Sequence, residues 1–443
     1  MKSEKISIAL SERSRVLPAL TARIVTTATF AKSFVPFYLI GSTPIFVVAC
    51  LFGIVLVTVS WREIGNNAVY ATDILLALGV LYSVVVANYF AYSLGQVPIT
   101  HLLGILVFHA LFIGFGFAAA QALNAVYIVL LAQAAIYVII IAQYTFRYGD
   151  LMRNGFLQDV FGVGVPAFVT TFHQNIGTAL ALALLAALGF GPRWTRLSAW
   201  AALPFVLLFM FHIAARTALV SLLGSLVFLA WASLWISSKK AALVSVTALV
   251  IAGAVASGLF YAYALQDKNV DSAAPDAISR TIREIQSHDP GFRVEMLARA
   301  WHRIETRPDR LPLGHGIGAY SIDEGFGAPT WLLDKSPKHY PHNAYLELLY
   351  ELGIAGLLIF GFITLFPIFV ALKYWGELST PERAAISLYV FYLLSIDISG
   401  SFAYSYDFQF FLALAVGVLG LKRKQLAKAT APPPSYLGSE AIA

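Results

Sequence analysis

One cysteine, four methionines and a thin supply of charge set limits on this 443-residue sequence before any motif is read. Cys50 stands alone inside an apolar run, so an internal disulfide and a cysteine-type zinc site are both excluded. It reads as a small buried hydrophobe. Charged residues make up 12% of the chain, half of the roughly 25% usual in soluble domains. With 59% hydrophobic residues and a mean hydropathy of +0.74, an ordinary water-soluble fold is excluded as well. Also missing are a Walker loop, a dinucleotide fingerprint, a His-Glu-x-x-His zinc helix and the Asp-x-Asp pair that holds a metal with a nucleotide sugar.

What is present is apolar sequence in runs of about 17–28 residues, enough to cross a hydrocarbon core of about 30 Å. Backbone groups in lipid must satisfy one another, and period-2 alternation is absent, so these runs predict helices rather than a barrel. About twelve spans can be written: 24–40, 43–60, 68–94, 99–120, 123–146, 174–190, 197–212, 217–236, 241–264, 344–372, 384–402 and 407–421. Reading 33–60 as a single helix would give eleven and separate the two termini. The positive-inside rule decides between them. With twelve, about sixteen cations in the termini and short loops face inside, among them Arg193, Lys239, Lys240, Lys373 and Arg383. Arg147, Arg153 and Arg216 are then the short-segment cations outside. The expected organisation is a cytoplasmic tail over 1–23, spans over 24–264, an outer loop over 265–341, spans over 342–421 and a disordered cytoplasmic tail over 422–443. The basic N-terminus lacks a cleavable signal pattern and is expected to be retained.

The outer loop differs in composition. Residues 266–341 hold ten Lys/Arg and eleven Asp/Glu, a net charge of −1 against +7 for the rest. Within it, Ile278–Thr306 is amphipathic, with Ile282, Ile285, Val294, Leu297, Trp301 and Ile304 near helical spacing. Asp289-Pro290-Gly291 should break it into two helices. Long loops with helices of their own are usually functional, and they translocate regardless of charge.

Cations outside oppose the topological bias and need a reason. Arg216, at the outer end of a span, reads either as a snorkelling interfacial arginine or as a guanidinium gripping an anion in a watery cavity. The planar fork of arginine suits phosphate oxygens. Arg147 and Arg153 flank a glycine-rich segment leading to Phe172-His173-Gln174-Asn175 and invite the same two readings. His342 lies where the loop re-enters the membrane, between Pro341 and Asn343, the expected N-cap of the next helix. The positive end of the helix dipole keeps such an imidazole neutral and available as a base; a structural histidine is the other reading. Glu347 and Glu351 follow one and two turns into that span. Buried carboxylates there are expected to pair with an outer arginine, or else to relay protons. Asp397 poses the same choice.

These residues together resemble a known family. Gly291-Phe292-Arg293, Trp301, the run Pro312-Leu313-Gly314-His315-Gly316-Ile317-Gly318-Ala319-Tyr320, then Pro341-His342-Asn343-Ala344-Tyr345-Leu346-Glu347 and Glu351-Leu352-Gly353-Ile354-Ala355-Gly356 look like the core of the bacterial O-antigen ligase and O-antigen polymerase superfamily. Ala215-Arg216-Thr217-Ala218 is similar to the family's Ser-Arg-Thr-Ala, with alanine for serine. Phe172-His173-Gln174-Asn175 is similar to its His-Pro-Asn segment, with glutamine for proline, and His315 stands where valine is common. The motifs cover about residues 145–360.

The resemblance implies an all-α polytopic membrane protein, GT-C-like, in the bacterial inner membrane, with its active site on the periplasmic side. It implies an undecaprenyl-diphosphate-linked glycan as donor and a lipid A-core or glycan hydroxyl as acceptor. Membrane lipids are partners, no nucleic acid is involved, and no metal or cofactor is needed. His342 would be the general base, Arg216, Arg293 and Arg153 the diphosphate ligands, and Asn343, Glu347 and Asn175 supporting residues. Ligase is the preferred activity, with O-antigen or exopolysaccharide polymerase the alternative within the family. A polysaccharide transporter or flippase is the rival from another class. Such folds carry repeats and midplane sites, whereas no repeat is evident here and the candidates sit at span ends.

Overall fold

The protein is described from a computed structural model, covering scattered positions between 51 and 65 and then residues 69–148, 166–189, 192–266, 277–287, 291–329 and 340–430. Run 24–40, most of 43–60 and Arg153 therefore lie outside the described residues. Among those described there are helices and turns but no strand, only one isolated bridge between Leu94 and Val97. The helices are α1 (Thr72–Asn88, extended by a π-turn to Ser93), α2 (Ile99–Ala119), α3 (Leu123–Tyr148), α4 (Pro166–Gly189), α5 (Arg193–His212), α6 (Arg216–Ser237) and α7 (Lys239–Gln266). Then come α8 (Ala277–Gln286), α9 (Gly291–Thr306), α10 (Ala319–Asp323), α11 (Ala344–Lys373), α12 (Thr380–Ser399) and α13 (Tyr406–Thr430).

Ten of the twelve apolar runs coincide with a helix, and among the described residues six helical stretches, one of them joining α2 and α3, are both long and apolar enough to cross a membrane. The apolar part of α4, Gln174–Gly189, is short, and the rest of the difference has a physical basis. Helix α7 is apolar and exposed almost all round, with Ala242 and Ala264 its buried residues; so much exposed apolar surface belongs in lipid. Helices α12 and α13 are not among the six, and they form the centre of the bundle. Enclosed by other helices rather than by lipid, they can bury polar residues such as Ser387 and Gln409. Helices α2 and α13 pack so closely that a Cβ on Gly116 would lie 2.3 Å from the Phe410 carbonyl oxygen.

The bundle has two chemically distinct ends. At one, Lys422 pairs with Glu382 at 3.8 Å, Arg423 with Asp73 at 3.3 Å, and Arg383 donates to the Trp375 carbonyl at 2.9 Å. Lys239, Lys240 and Lys373 belong to helix ends on this side, which is tied together by the Trp375 indole on Ser233 at 3.4 Å. At the other end stand the starts of α6 and α11 and the helices α8 to α10.

A break in α11 joins that second end to the segment before it. At Gly353 the backbone leaves helical geometry, with φ 68° and ψ −165°. The break opens the carbonyls of Tyr350 and Glu351, which accept from the amides of His315 at 2.9 Å and Gly316 at 3.0 Å. In return Ile354 donates to Leu311 at 2.9 Å. Asn88 of α1 donates to Leu313 and Glu351 carbonyls at 2.7 and 3.2 Å and accepts from Ile317 at 3.0 Å. The approach is so close that a Cβ on Gly353 would stand 2.6 Å from three backbone atoms of the turn, and one on Gly314 would stand 2.2 Å from the Glu351 oxygen. His315 stacks on Tyr350, rings 4.4 Å apart, and its Nδ1 donates to the Tyr350 carbonyl at 3.0 Å.

Helix α9 docks on this turn by a face that shares Ile304 with the expected one but is otherwise rotated from it. Met296, Ala300 and Ile304 are buried against Tyr320 and Tyr350, while Val294 and Trp301 are about half exposed. Arg303 fixes the choice by bonding Glu324 at 2.7 Å beside α10, which orients the helix by its charged residues as well as its apolar ones. Trp301 instead donates to Glu305 at 2.7 Å along its own helix.

Gly353→Ala should destabilise by roughly 2 kcal/mol or more, since it adds a forbidden φ to a backbone collision. A lower thermal midpoint of the purified protein would report it. Gly361→Ala, where a Cβ meets nothing within 4 Å, is the control and should be neutral or stabilise by about 0.5–1 kcal/mol. Burial lowers the His315 imidazole below its ordinary range, against the opposing bond to Tyr350. The folded state thus resists protonation of this ring, while the unfolded chain takes up a proton near pH 6.5. Its contribution is complete above that pH and lost as the pH falls. The loss of thermal stability below pH 6.5 should be smaller in His315→Val.

Candidate functional site

The site is built where α11 begins. Pro341 leads in, and His342 adopts φ 62°, a left-handed conformation uncommon outside glycine. Such strained positions gather at functional sites. Asn343 is the N-cap expected of it: its Oδ1 accepts from the Leu346 amide at 2.8 Å. Its Nδ2 does a second task, donating to both the backbone oxygen and Oδ1 of Asp397 on α12, each at 2.8 Å. The start of α11 is thereby bound to the end of α12, and Asp397 is explained as an anchor. His342 itself is buried, its ring 4.7 Å from that of Tyr340.

The two glutamates correct the expectation of arginine partners. Glu347 is buried and accepts from the Ser401 hydroxyl at 2.8 Å and from the amides of Phe402 at 2.9 Å and Ala403 at 3.4 Å. Glu351, also buried, is met by the backbone at Gly318 and Tyr320, the start of α10. Amide and hydroxyl donors converging at a turn satisfy a carboxylate's oxygens without a cation. Both glutamates therefore hold loops in position, Glu347 the α12–α13 connection and Glu351 the glycine-rich turn.

Arg216 opens α6 after a tight turn in which Ala214 has φ 55° and the Arg216 amide donates to the Ala214 carbonyl at 2.9 Å. Its Nη1 donates to Thr281 of α8 at 3.2 Å, so α8 lies over the arginine. Arg293 is exposed near the start of α9. It acts electrostatically on Tyr340: burial, with help from Glu347, pushes that phenol up to about 12, and Arg293 opposes the rise. Tyr340 thus feels the charge of Arg293 and touches the ring of His342, residues 49 positions apart in the chain.

Beneath Tyr340 lies a cavity of about 230 Å³ whose wall includes Asn175, Thr217, Tyr340, Ser401 and Tyr404. Asn175 is the single predicted site residue in that wall; Arg216 adjoins it through Thr217, and His342 through Tyr340. Tyr340, Ser401 and Tyr404 went unremarked in the sequence. The signal for Tyr340 was its place two residues before His342. Nothing local distinguishes Ser401 or Tyr404.

Residues 201–361 match the family model described as O-Antigen ligase. That interval runs from α5 into α11 and contains Arg216, Arg293, His342, Asn343 and Glu347, while Asn175 and the α12–α13 connection fall outside it. No curated protein matches the chain.

Asn343→Ala removes both a cap and the tie to Asp397. It should cost about 1–2 kcal/mol of stability. Asn343→Ser keeps the capping oxygen and loses the reach to α12, so it should recover most of the stability while leaving any functional defect in place; thermal midpoints of the two variants beside their transfer rates would separate the effects.

Proposed function

We propose, from the premise that residues 201–361 are an O-antigen ligase family domain, that this membrane protein transfers a glycan from an undecaprenyl diphosphate carrier to an acceptor hydroxyl, acting as a ligase on a lipid A-core acceptor. In support, the matched interval holds in one stretch a strained histidine at a helix start and the two arginines suited to a diphosphate. His342 takes the proton of the acceptor hydroxyl as its oxygen attacks the anomeric carbon. The bond from that carbon to the diphosphate breaks, and undecaprenyl diphosphate leaves with the electron pair. Arg216, Arg293 and Arg153 meet the charge that develops on the leaving group, where fixed cations act most strongly. A base working near neutral pKa suits a sugar hydroxyl. A single base opposite a good leaving group implies direct displacement with inversion, without metal.

The chain sits in the bacterial inner membrane with twelve spans, both termini inside and the site on the periplasmic face. The cations of the short loops gather at the end of the bundle away from His342, as that orientation requires.

His342→Asn is the informative variant, because asparagine tolerates the left-handed backbone that alanine resists. It should lower transfer at least about 100-fold with protein level and thermal midpoint unchanged; retained transfer removes His342 as base. Arg216→Lys and Arg293→Lys keep the charge but lose the fork, and each should raise the donor KM. In cells, abundant lipid-linked polymer beside uncapped lipid A-core in the His342 variant marks a ligase, and core capped with single repeats marks a polymerase.

A further inference from the structure

We infer that the cavity beneath Tyr340 is a binding site for an uncharged sugar ring, walled mainly by residues outside the matched family domain, among them Gln133 of α3, Ser395 and Ser399 of α12, and Asp407 of α13, with Thr217 of α6 contributed from within it. The inference rests on the glycan-transfer reading and names the part of the substrate this wall receives.

Charge decides what the cavity can hold. No lysine, arginine or histidine lines it among the described residues, and Asp407 does, so a diphosphate is repelled rather than bound. The remaining wall is hydroxyls, carboxamides and phenol rings, with Tyr340 and Tyr404 rings 5.6 Å apart at one side. Aromatic faces beside a few convergent polar groups are the makings of a small-molecule site. A pyranose has that same dual surface, C–H on its faces and hydroxyls round its edge.

Two wall residues carry open hydrogen-bonding capacity. Gln133 is 2% exposed and Thr217 is 7% exposed, yet Gln133 Oε1 and Thr217 Oγ1 have no hydrogen-bond partner among the described residues. Buried polar atoms are nearly always bonded. One accepts and the other both accepts and donates, which is what sugar hydroxyls require. At about 30 Å³ per water molecule the cavity has room for several, which a sugar ring would replace on binding.

Position makes the site useful. Thr217 follows Arg216 in the chain, and the Tyr340 ring lies 4.7 Å from that of His342, tilted by 56°, so the cavity adjoins both the proposed diphosphate ligand and the proposed base. A sugar ring here belongs either to the donor, next to its diphosphate, or to the acceptor, next to the base.

The test uses the full chain in lipid nanodiscs and three probes: lipid-linked glycan extracted from cells that make this protein, bare undecaprenyl diphosphate, and the acceptor glycan. Gln133→Leu and Thr217→Val should each weaken binding of one sugar-bearing probe by roughly 3- to 10-fold, the worth of one hydrogen bond, and Thr217→Ser should restore it. Bare undecaprenyl diphosphate should bind unchanged. Weakened donor binding assigns the cavity to the donor sugar, and weakened acceptor binding assigns it to the acceptor. Unchanged binding of both sugar-bearing probes overturns the inference, as does equal loss with bare undecaprenyl diphosphate. Failure of the transfer reading is separate: it would show as retained transfer in His342→Asn, whatever these binding constants do.

Discussion

The arrangement of the site depends on an unmade helical bond. In α11 the backbone departs from helical geometry at Gly353, and the carbonyls of Tyr350 and Glu351 turn outward. Unpaired peptide groups inside a membrane protein cost several kcal/mol each, so the break persists because His315, Gly316 and Asn88 supply donors. Only glycine at positions 314 and 353 lets the two backbones come close enough for those bonds to form. This lock fastens the glycine-rich turn to α1 and α11 at once, and with it α9 and α10.

The second constraint is how carboxylates are satisfied. Glu347 and Glu351 are deep enough that their charge or hydrogen bonding must be met locally, and it is met by amides and one hydroxyl. No arginine of the site is consumed in doing so. Glu324 by contrast takes both Arg299 and Arg303, in the soluble-looking segment where ion pairs are cheap to form and fix the seat of α9. Arg299 and Arg303 seat α9 through Glu324, while Arg216 ties α8 to α6 through Thr281.

The opposite end of the bundle shows the complement. Its ion pairs, Lys422 with Glu382 and Arg423 with Asp73, lie among cationic helix ends and aromatic rings such as Trp375. One end is therefore basic and paired, the other polar with a cavity, and the apolar flanks between them, best seen on α7, carry almost no charge.

Much of this was legible in the residues alone. Ten apolar runs coincide with helices because helix length and apolarity answer to lipid thickness, a constraint local to each run. The N-cap at Asn343 and the glycine-rich turn were legible for the same reason: capping and positive φ are properties of a few adjacent residues. What the tertiary structure decided was every pairing across distance. Which face of α9 is buried was settled by Arg303 finding Glu324, not by the Val294 and Trp301 pattern. The partners of Glu347 lie 54 to 56 positions away. The cavity wall gathers Gln133, Thr217 and Asp407 from three helices. No local pattern encodes such meetings, because hydroxyls and amides have no periodicity of their own and acquire a partner only when packing brings one within 3 Å or so.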